Sequence, residues 1–344
     1  MSVESSQDAH RAVVLGAGSW GTALAIQLGS VGHQVSLWGR DAALMAAMAD
    51  RRANPTYLPD VTFPAPVRPT ASLETALKGA RYVIVAVPSH GLRAAVRQAV
   101  PLIEDGAILV SATKGIEADT LKRMSEVIRE ETGGRLPVVV LSGPSFAAEV
   151  AQRLPTALVA ASDDDAAVVK VQDEFRGPQF RLYGTTDVVG VEISGALKNI
   201  IGIAAGVVES LGLGHNAMAA LITRGLAEIA RLSCAMGGQR DTPAGLSGLG
   251  DLVLTCTGSL SRNRHVGIEL GRGRSLDDIL AGMRMVAEGV KTTSAALALG
   301  KRHDVELPIA EQIAEVLAGR KSPRAAVGDL MLRPQRGERD QGNR

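Results

Sequence analysis

The feature that most constrains this chain is a glycine-rich turn, Gly16-Ala17-Gly18-Ser19-Trp20-Gly21. It closes the apolar run Ala12-Val13-Val14-Leu15 and opens a helical pattern at Thr22-Ala23-Leu24-Ala25-Ile26. Strand, glycine turn and helix in that order form a phosphate-binding device. The first glycine permits the tight turn. The second lets backbone approach a pyrophosphate, and the third lets helix pack on strand. The helix N-terminus then offers unpaired N–H groups and a positive dipole end to the anion. The string alone is weak, since glycine turns are common; the flanking strand and helix patterns give it weight. Gly16, Gly18, Ser19, Trp20 and Gly21 are therefore candidates for binding a dinucleotide.

The first half of the chain repeats this alternation. Strand patterns fall at Ala12–Leu15, Val35–Trp38, Tyr82–Ala86, Ile108–Ser111, Val138–Leu141 and Ala157–Ala161, with helical patterns at Thr22–Val31, Ala42–Arg51, Leu92–Val100 and Leu121–Glu131. Such alternation predicts an α/β fold, a Rossmann-like doubly wound sheet that is mostly parallel with helices on both faces. The proline-rich stretch Asn54–Pro69 reads as a surface loop. Beyond Thr185 helical patterns take over: Val188–Leu211, Ala217–Met236, Arg264–Gly271, Leu276–Ala281, Thr292–Lys301 and Ile309–Ala318. A length of 344 residues exceeds one typical core. The expected division is a dinucleotide-binding domain over 1–185, an all-α C-terminal domain over 186–332, and a disordered tail over 333–344.

Composition narrows the class. With 46% hydrophobic and 21% charged residues the chain reads as soluble and globular, and a formal charge of +1 gives no bulk attraction to nucleic acid or membrane. Val188–Leu211 is long and apolar, yet Glu192, Lys198 and Glu209 interrupt it, so a buried helix is expected and not an integral membrane segment. Cys234 and Cys256 fit neither a disulfide framework nor a metal site, so no metal is expected. The polar N-terminus, Met1–His10, lacks an apolar signal core, and a cytoplasmic location is expected.

The adenosine ribose is usually met at the end of the second strand, about 20 residues past the glycines. Here Val35-Ser36-Leu37-Trp38 runs into Gly39-Arg40-Asp41. A guanidinium at Arg40 can hold a 2′-phosphate, and Asp41 keeps a 2′-hydroxyl contact open. NADP(H) is favoured, with NAD(H) accepted as well. Two later strand ends also point to the crevice: Ala86-Val87-Pro88-Ser89-His90 as a floor, and Ser111-Ala112-Thr113-Lys114-Gly115, which brings an ammonium to the carboxyl edge of the sheet.

Lys198 stands in the apolar helix Glu192-Ile193-Ser194-Gly195-Ala196-Leu197-Lys198-Asn199. Residues three and four away share its face, and these are Ser194, Gly195 and Gly202, with Ala205 beyond. Their small size is expected to leave room beside the lysine. Desolvation would lower its pKa towards the range of a proton donor at neutral pH, whereas pairing with a structural carboxylate is the alternative. Asp251, after the glycines of Gly245-Leu246-Ser247-Gly248-Leu249-Gly250, is a partner that could orient it. Ser261-Arg262-Asn263-Arg264 at a helix start is phosphate-gripping chemistry, with a solvated basic turn as the alternative.

Together these residues resemble the bacterial-type NAD(P)-dependent sn-glycerol-3-phosphate dehydrogenases. The resemblance runs from about Arg11 to Leu332 through GAGSWGTALA, VAVPSH, SATKGIE, LSGPSFAAEV, EISGALKNIIGIAAG, GLSGLGDLVLTC, SRNR and VAEGVKT, in that order. It implies reversible hydride transfer between NAD(P)H and dihydroxyacetone phosphate, giving sn-glycerol 3-phosphate for phospholipid synthesis, in a homodimer. By position it implies that Ser19, Trp20 and Arg40 meet the cofactor and that Lys114 bridges cofactor and substrate. Gly143 and Ser145 would contact substrate, with Ala147 beside the cofactor and Lys198 as the catalytic lysine. Asp251, Ser261, Arg262 and Asn263 would form the substrate set, Arg262 also reaching cofactor. Val286 and Glu288 match a late cofactor contact. The rivals are a 2-hydroxyacid, 6-phosphogluconate-like or ketopantoate-type reductase of the same architecture, and a non-catalytic NADP-binding regulator.

Overall fold

The computed structural model describes residues 10–283, 285–335 and 337. Residues 1–9 and most of the expected 333–344 tail lie outside them. The first half alternates β1 (Arg11–Leu15), α1 (Ser19–Ser30), β2 (Gln34–Trp38), α2 (Ala42–Arg51), β3 (Ala53–Asn54), β4 (Leu58–Thr62) and β5 (Val67–Thr70). It continues with α3 (Leu73–Leu77), β6 (Tyr82–Val85), α4 (Ser89–Ala99), β7 (Ile108–Ser111) and α5 (Met124–Thr132). Then follow β8 (Val138–Ser142), α6 (Ala147–Ala151), β9 (Thr156–Ala161), α7 (Asp165–Phe175) and β10 (Phe180–Thr185).

Eight strands form one sheet in the order β10-β9-β8-β7-β6-β1-β2-β5. The six from β5 to β8 run parallel, while β9 is antiparallel to β8 and carries β10 parallel to itself. The chain leaves β1 towards β2 and β5, then returns to β6 on the other side. That reversal opens a crevice at the carboxyl ends of β1 and β6, where ligands of such sheets bind. Strand residues alternate between faces. Val14, Ile84 and Val110 pack with Leu24 and Ile26 of α1 and Val171 of α7, while Val13, Val83 and Leu109 pack with Leu92 of α4 and Val127 of α5.

Asn54–Pro69 is not a surface loop. β3 and β4 pair as a small hairpin, and β5 joins the main sheet beside β2. Pro69 lies opposite Leu37 on the outermost strand, where a missing N–H need serve no further neighbour. The hairpin is held by Asn54, which is fully buried. Its amide donates to the Ala17 carbonyl (3.0 Å) and Thr22 Oγ1 (2.8 Å) and accepts from the N–H groups of Thr56 and Tyr57.

The second half is helical: α8 (Val188–Ser210), α9 (Gly214–Ala235), α10 (Asp251–Thr257), α11 (Arg262–Gly271), α12 (Leu276–Ala281), α13 (Glu288–Arg302), α14 (Pro308–Leu317) and α15 (Pro323–Met331). Helix α8 is long and apolar enough to cross a membrane, but it is buried almost throughout and forms the core around which the others pack. Its glycines admit close neighbours. A Cβ on Gly206 would lie 2.0 Å from the Arg264 carbonyl oxygen, and one on Gly267 of α11 would lie 1.9 Å from that of Ile203. Because backbone cannot step aside, Gly206→Ala is expected to lower stability by at least about 2 kcal/mol. A urea midpoint that stays unchanged with an unchanged slope would show that the two helices can separate without cost.

Candidate active site

The glycine turn seats as its residue types demand. Gly16 has φ +117°, and a Cβ there would meet the Ala86 carbonyl oxygen at 2.6 Å. Gly21 lies against the Gly16 carbonyl, with 1.9 Å available to a Cβ. Gly18 has open space where a side chain would stand, so backbone is free to approach a ligand. Helix α1 starts at Ser19, three residues before the apolar pattern announced it, so the N–H groups of Ser19, Trp20 and Gly21 belong to its unpaired first turn. Trp20 Nε1 donates to the Ala112 carbonyl (3.1 Å) at the end of β7.

From this turn a cleft of about 640 Å³ runs between the sheet edge and the helical half. One end holds Trp38, Arg40, Asp41 and Tyr57, and the other holds Lys114, Lys198, Arg262 and Asn263. Arg40 is exposed and makes no hydrogen bond or ion pair among the described residues. Asp41 caps α2, accepting from the Leu44 N–H at 3.0 Å, so one of its oxygens is already engaged. Ser145 and Ala147 line the sheet side, with Val286 and Glu288 opposite. Ser19 Oγ reaches Met285 Sδ at 3.8 Å across the opening. The Glu288 carboxylate accepts from Ser89 N–H (3.1 Å) and Oγ (2.6 Å), tying the start of α13 to the start of α4.

At the inner end, Asp251 joins two lysines. Its Oδ1 accepts from Lys198 Nζ (2.8 Å) and its Oδ2 from Lys114 Nζ (2.5 Å). Lys114 Nζ also donates to the Gly143 carbonyl (2.9 Å), and Lys198 Nζ to Thr255 Oγ1 (2.7 Å). An ammonium has three protons. Each lysine thus keeps one that these partners do not use, and both side chains line the cleft. Asp251 is 1% exposed with both oxygens taken, and Gly143 turns its carbonyl to Lys114. Asp251 thus meets Lys198 as expected of an orienting partner, and in this arrangement both it and Gly143 sit behind the lysines, outside the cleft lining.

Small residues beside Lys198 were expected to leave room, and they do something else. A Cβ on Gly195 would lie 2.8 Å from Ser142 Oγ and 3.6 Å from Lys114 Cγ, and one on Gly202 would lie 2.6 Å from Thr255 Cγ2. The glycines let the Lys114 stem and α10 close onto α8, which brings the partners to the lysine and excludes water from it. Burial pulls Lys198 down to about 8, against the opposing attraction of Asp251, with Lys114 and Arg262 pushing the same way as burial. The Cys256 thiol, also buried, is pushed up to about 12 and stays protonated.

Ser261, Arg262 and Asn263 form the N-cap and first turn of α11, with Ser261 Oγ accepting from the Arg264 N–H (3.3 Å). Asn263 donates to Asn199 Oδ1 (2.9 Å) and accepts from the Gly289 N–H (3.0 Å), leaving one amide proton. Arg262 makes no hydrogen bond or ion pair among the described residues, and burial lowers its pKa against the more distant pull of Glu288. A half-buried guanidinium with no hydrogen-bond or ion-pair partner among the described residues, at a helix N-terminus and facing a cleft, is a built anion site.

Thr255, Asn199 and Tyr57 are polar cleft residues that the sequence does not single out. Thr255 lies four residues after Asp251 on α10, a spacing that puts both on one helical face and could have signalled it. Asn199 follows Lys198 directly. Tyr57 lies in the segment misread as a loop.

The family description "NAD-dependent glycerol-3-phosphate dehydrogenase N-terminus" matches residues 11–168, and its C-terminal counterpart matches 187–328. This chain belongs to that family. It is an oxidoreductase. A curated relative from Koribacter versatilis named glycerol-3-phosphate dehydrogenase [NAD(P)+] is 55% identical over 94% of this chain and 97% of its own length. Another of that name from Syntrophotalea carbinolica is 53% identical over 95% and 99%. The crystal structure of glycerol-3-phosphate dehydrogenase from Coxiella burnetii superposes with a TM-score of 0.91 at 38% identity, covering 94% of this chain and 99% of that one.

Proposed function

We propose that the chain catalyses reversible NAD(P)H-dependent reduction of dihydroxyacetone phosphate to sn-glycerol 3-phosphate, and so supplies glycerophospholipid synthesis. One observation carries this reading: the unpartnered Arg262 at the start of α11 shares a cleft with the Lys198–Asp251–Lys114 cluster. An anion gripped at Arg262 leaves the rest of a short substrate beside the ammonium groups. Of the described residues, those up to 185 form the cofactor domain and those from 186 to 332 the substrate domain. The family resemblance also supports a homodimer.

The residues present suit a dinucleotide. Gly18 leaves open backbone at the start of α1, and the free Arg40 waits at the end of β2 for an adenosine ribose or its 2′-phosphate. When bound, the nicotinamide supplies or takes up the hydride. Charge then develops on the substrate C2 oxygen. A protonated Lys198 stabilises it and donates the proton, and in oxidation the neutral amine accepts that proton. Asp251 fixes both ammonium groups, and Arg262 with Asn263 holds the phosphate at the remote end, so that binding there aligns the carbonyl. Ser261 and Ser145 complete the substrate wall, while Ala147 and Val286 border the cofactor.

The test is oxidation of reduced nicotinamide by dihydroxyacetone phosphate, with NADPH and NADH compared. Turnover that needs the phosphate is expected, with NADPH the better donor through Arg40. Equal turnover with ketopantoate or a 2-oxoacid would favour the rival reductases. No turnover in protein that binds NADPH would favour a regulator.

A further inference from the structure

The two ammonium groups that share Asp251 come from different halves of the molecule. Lys114 belongs to a hairpin that leaves β7 and returns to α5: Ile116 bridges Arg123 in antiparallel fashion, and Glu117 N–H donates to the Lys122 carbonyl at 2.9 Å. Movement of the Arg123 arm therefore moves the Lys114 arm. Lys198 belongs to α8. Six residues before it on the same helix stands Glu192, a carboxylate that is buried and away from the cleft.

Glu192 accepts from Arg123 Nη1 (2.6 Å), Ser125 Oγ (2.6 Å) and Ser125 N–H (2.8 Å), all at the start of α5. It borders a cavity of about 10 Å³ that Thr113, Lys114 and Gly195 also line. A buried ion pair gives little net stability over apolar packing, but it is unforgiving about geometry. Here it joins α8 to the hairpin at the point where the Lys114 stem crosses Gly195.

We propose that Glu192 is a positioning residue: it holds the Lys114 hairpin against the helix that carries Lys198 and so sets the separation of the two ammonium groups. The groups facing Lys198 are Asp251, Thr255 and the Cys256 thiol on α10, Arg262 on α11, and Lys114 on the hairpin. Those facing Glu192 are Arg123 and Ser125. If the hairpin drifts, Lys198 loses the repulsion of Lys114 and gains a larger share of Asp251. It then keeps its proton to higher pH.

The placement stands on geometry alone; only its kinetic consequence rests on the proposed function. The deciding experiment therefore uses cofactor-free protein. Acetic anhydride acylates only the neutral amine, so labelling Lys198 across pH, read by peptide mass spectrometry, reports its titration. Glu192→Gln retains volume, removes the charge opposite Arg123, and is expected to raise the Lys198 midpoint by about half a pH unit or more. An unchanged or lowered midpoint in the folded variant overturns the proposal. Should Glu192→Gln not fold, Ser125→Ala, which removes one hydroxyl from the same carboxylate, decides by the same criterion. A second readout is turnover: a roughly tenfold lower kcat with little change in KM is expected. A parent protein that labels as described but shows no turnover refutes the functional reading and leaves this one standing.

Discussion

Lys198→Ala is expected to cut turnover by about three orders of magnitude with cofactor affinity within about twofold of the parent, because general acid–base catalysis and charge stabilisation at a developing oxyanion each contribute on the order of a hundredfold or more. The variant should fold. Asp251 still holds Lys114 at 2.5 Å, so no carboxylate is left buried and unpaired. The check is single-turnover kinetics with NADPH binding measured separately by fluorescence. Retention of more than about a tenth of parent turnover would take the proton-transfer role from Lys198. The parent's own pH dependence carries the same assignment. Lys198 loses its proton near pH 8, so reduction, which uses the ammonium, should fall as pH rises through about 8. Oxidation, which uses the amine, should rise through it. A limb that stays in place when Lys198 is replaced belongs to another group.

What could be read from the sequence was what lies close along the chain. The glycine turn was legible because strand, turn and helix are contiguous and each glycine answers to a neighbour within the unit or just beside it. Lys198 was legible as a charge in an apolar helix. Asp251, after its run of glycines, was legible as a partner that could orient it, and the two meet at 2.8 Å. That the same carboxylate also holds Lys114, 137 positions away, was not legible, because no periodicity reports which of many charged residues a fold will bring together. The small residues around the lysine were visible but ambiguous: a glycine next to a functional side chain can leave a void or admit a neighbour, and only packing decides. At Gly195 and Gly202 it admits Lys114, Ser142 and Thr255. The missed strands have the same cause. β5 carries Arg68 and Pro69 and has no strong alternating pattern, yet backbone pairing with β2 makes it a strand, and that pairing depends on a partner about thirty residues away. With it went Asn54 and Tyr57, and so one wall of the cofactor end.

Arg262→Ala is the second large effect, and it separates a phosphate grip from a general loss of the site. A bidentate charge-assisted contact to a half-buried guanidinium is worth about 3 kcal/mol, so KM for dihydroxyacetone phosphate should rise roughly a hundredfold or more. The same variant tested with unphosphorylated dihydroxyacetone should show nearly the parent's kcat/KM, since that substrate has nothing for the guanidinium to hold. Equal losses with both substrates would mean that Arg262 shapes the cleft or serves the cofactor alone. Arg262→Lys discriminates further. It restores the charge without the planar fork, and a partial recovery of KM is expected because Ser261 and Asn263 at the same helix start remain. Full recovery would make the site a point-charge anchor; none would show that the fork itself selects the phosphate. Lys198 and Arg262 thus divide the work by where their absence is felt, one in the chemical step with either substrate and the other only when a phosphate is present.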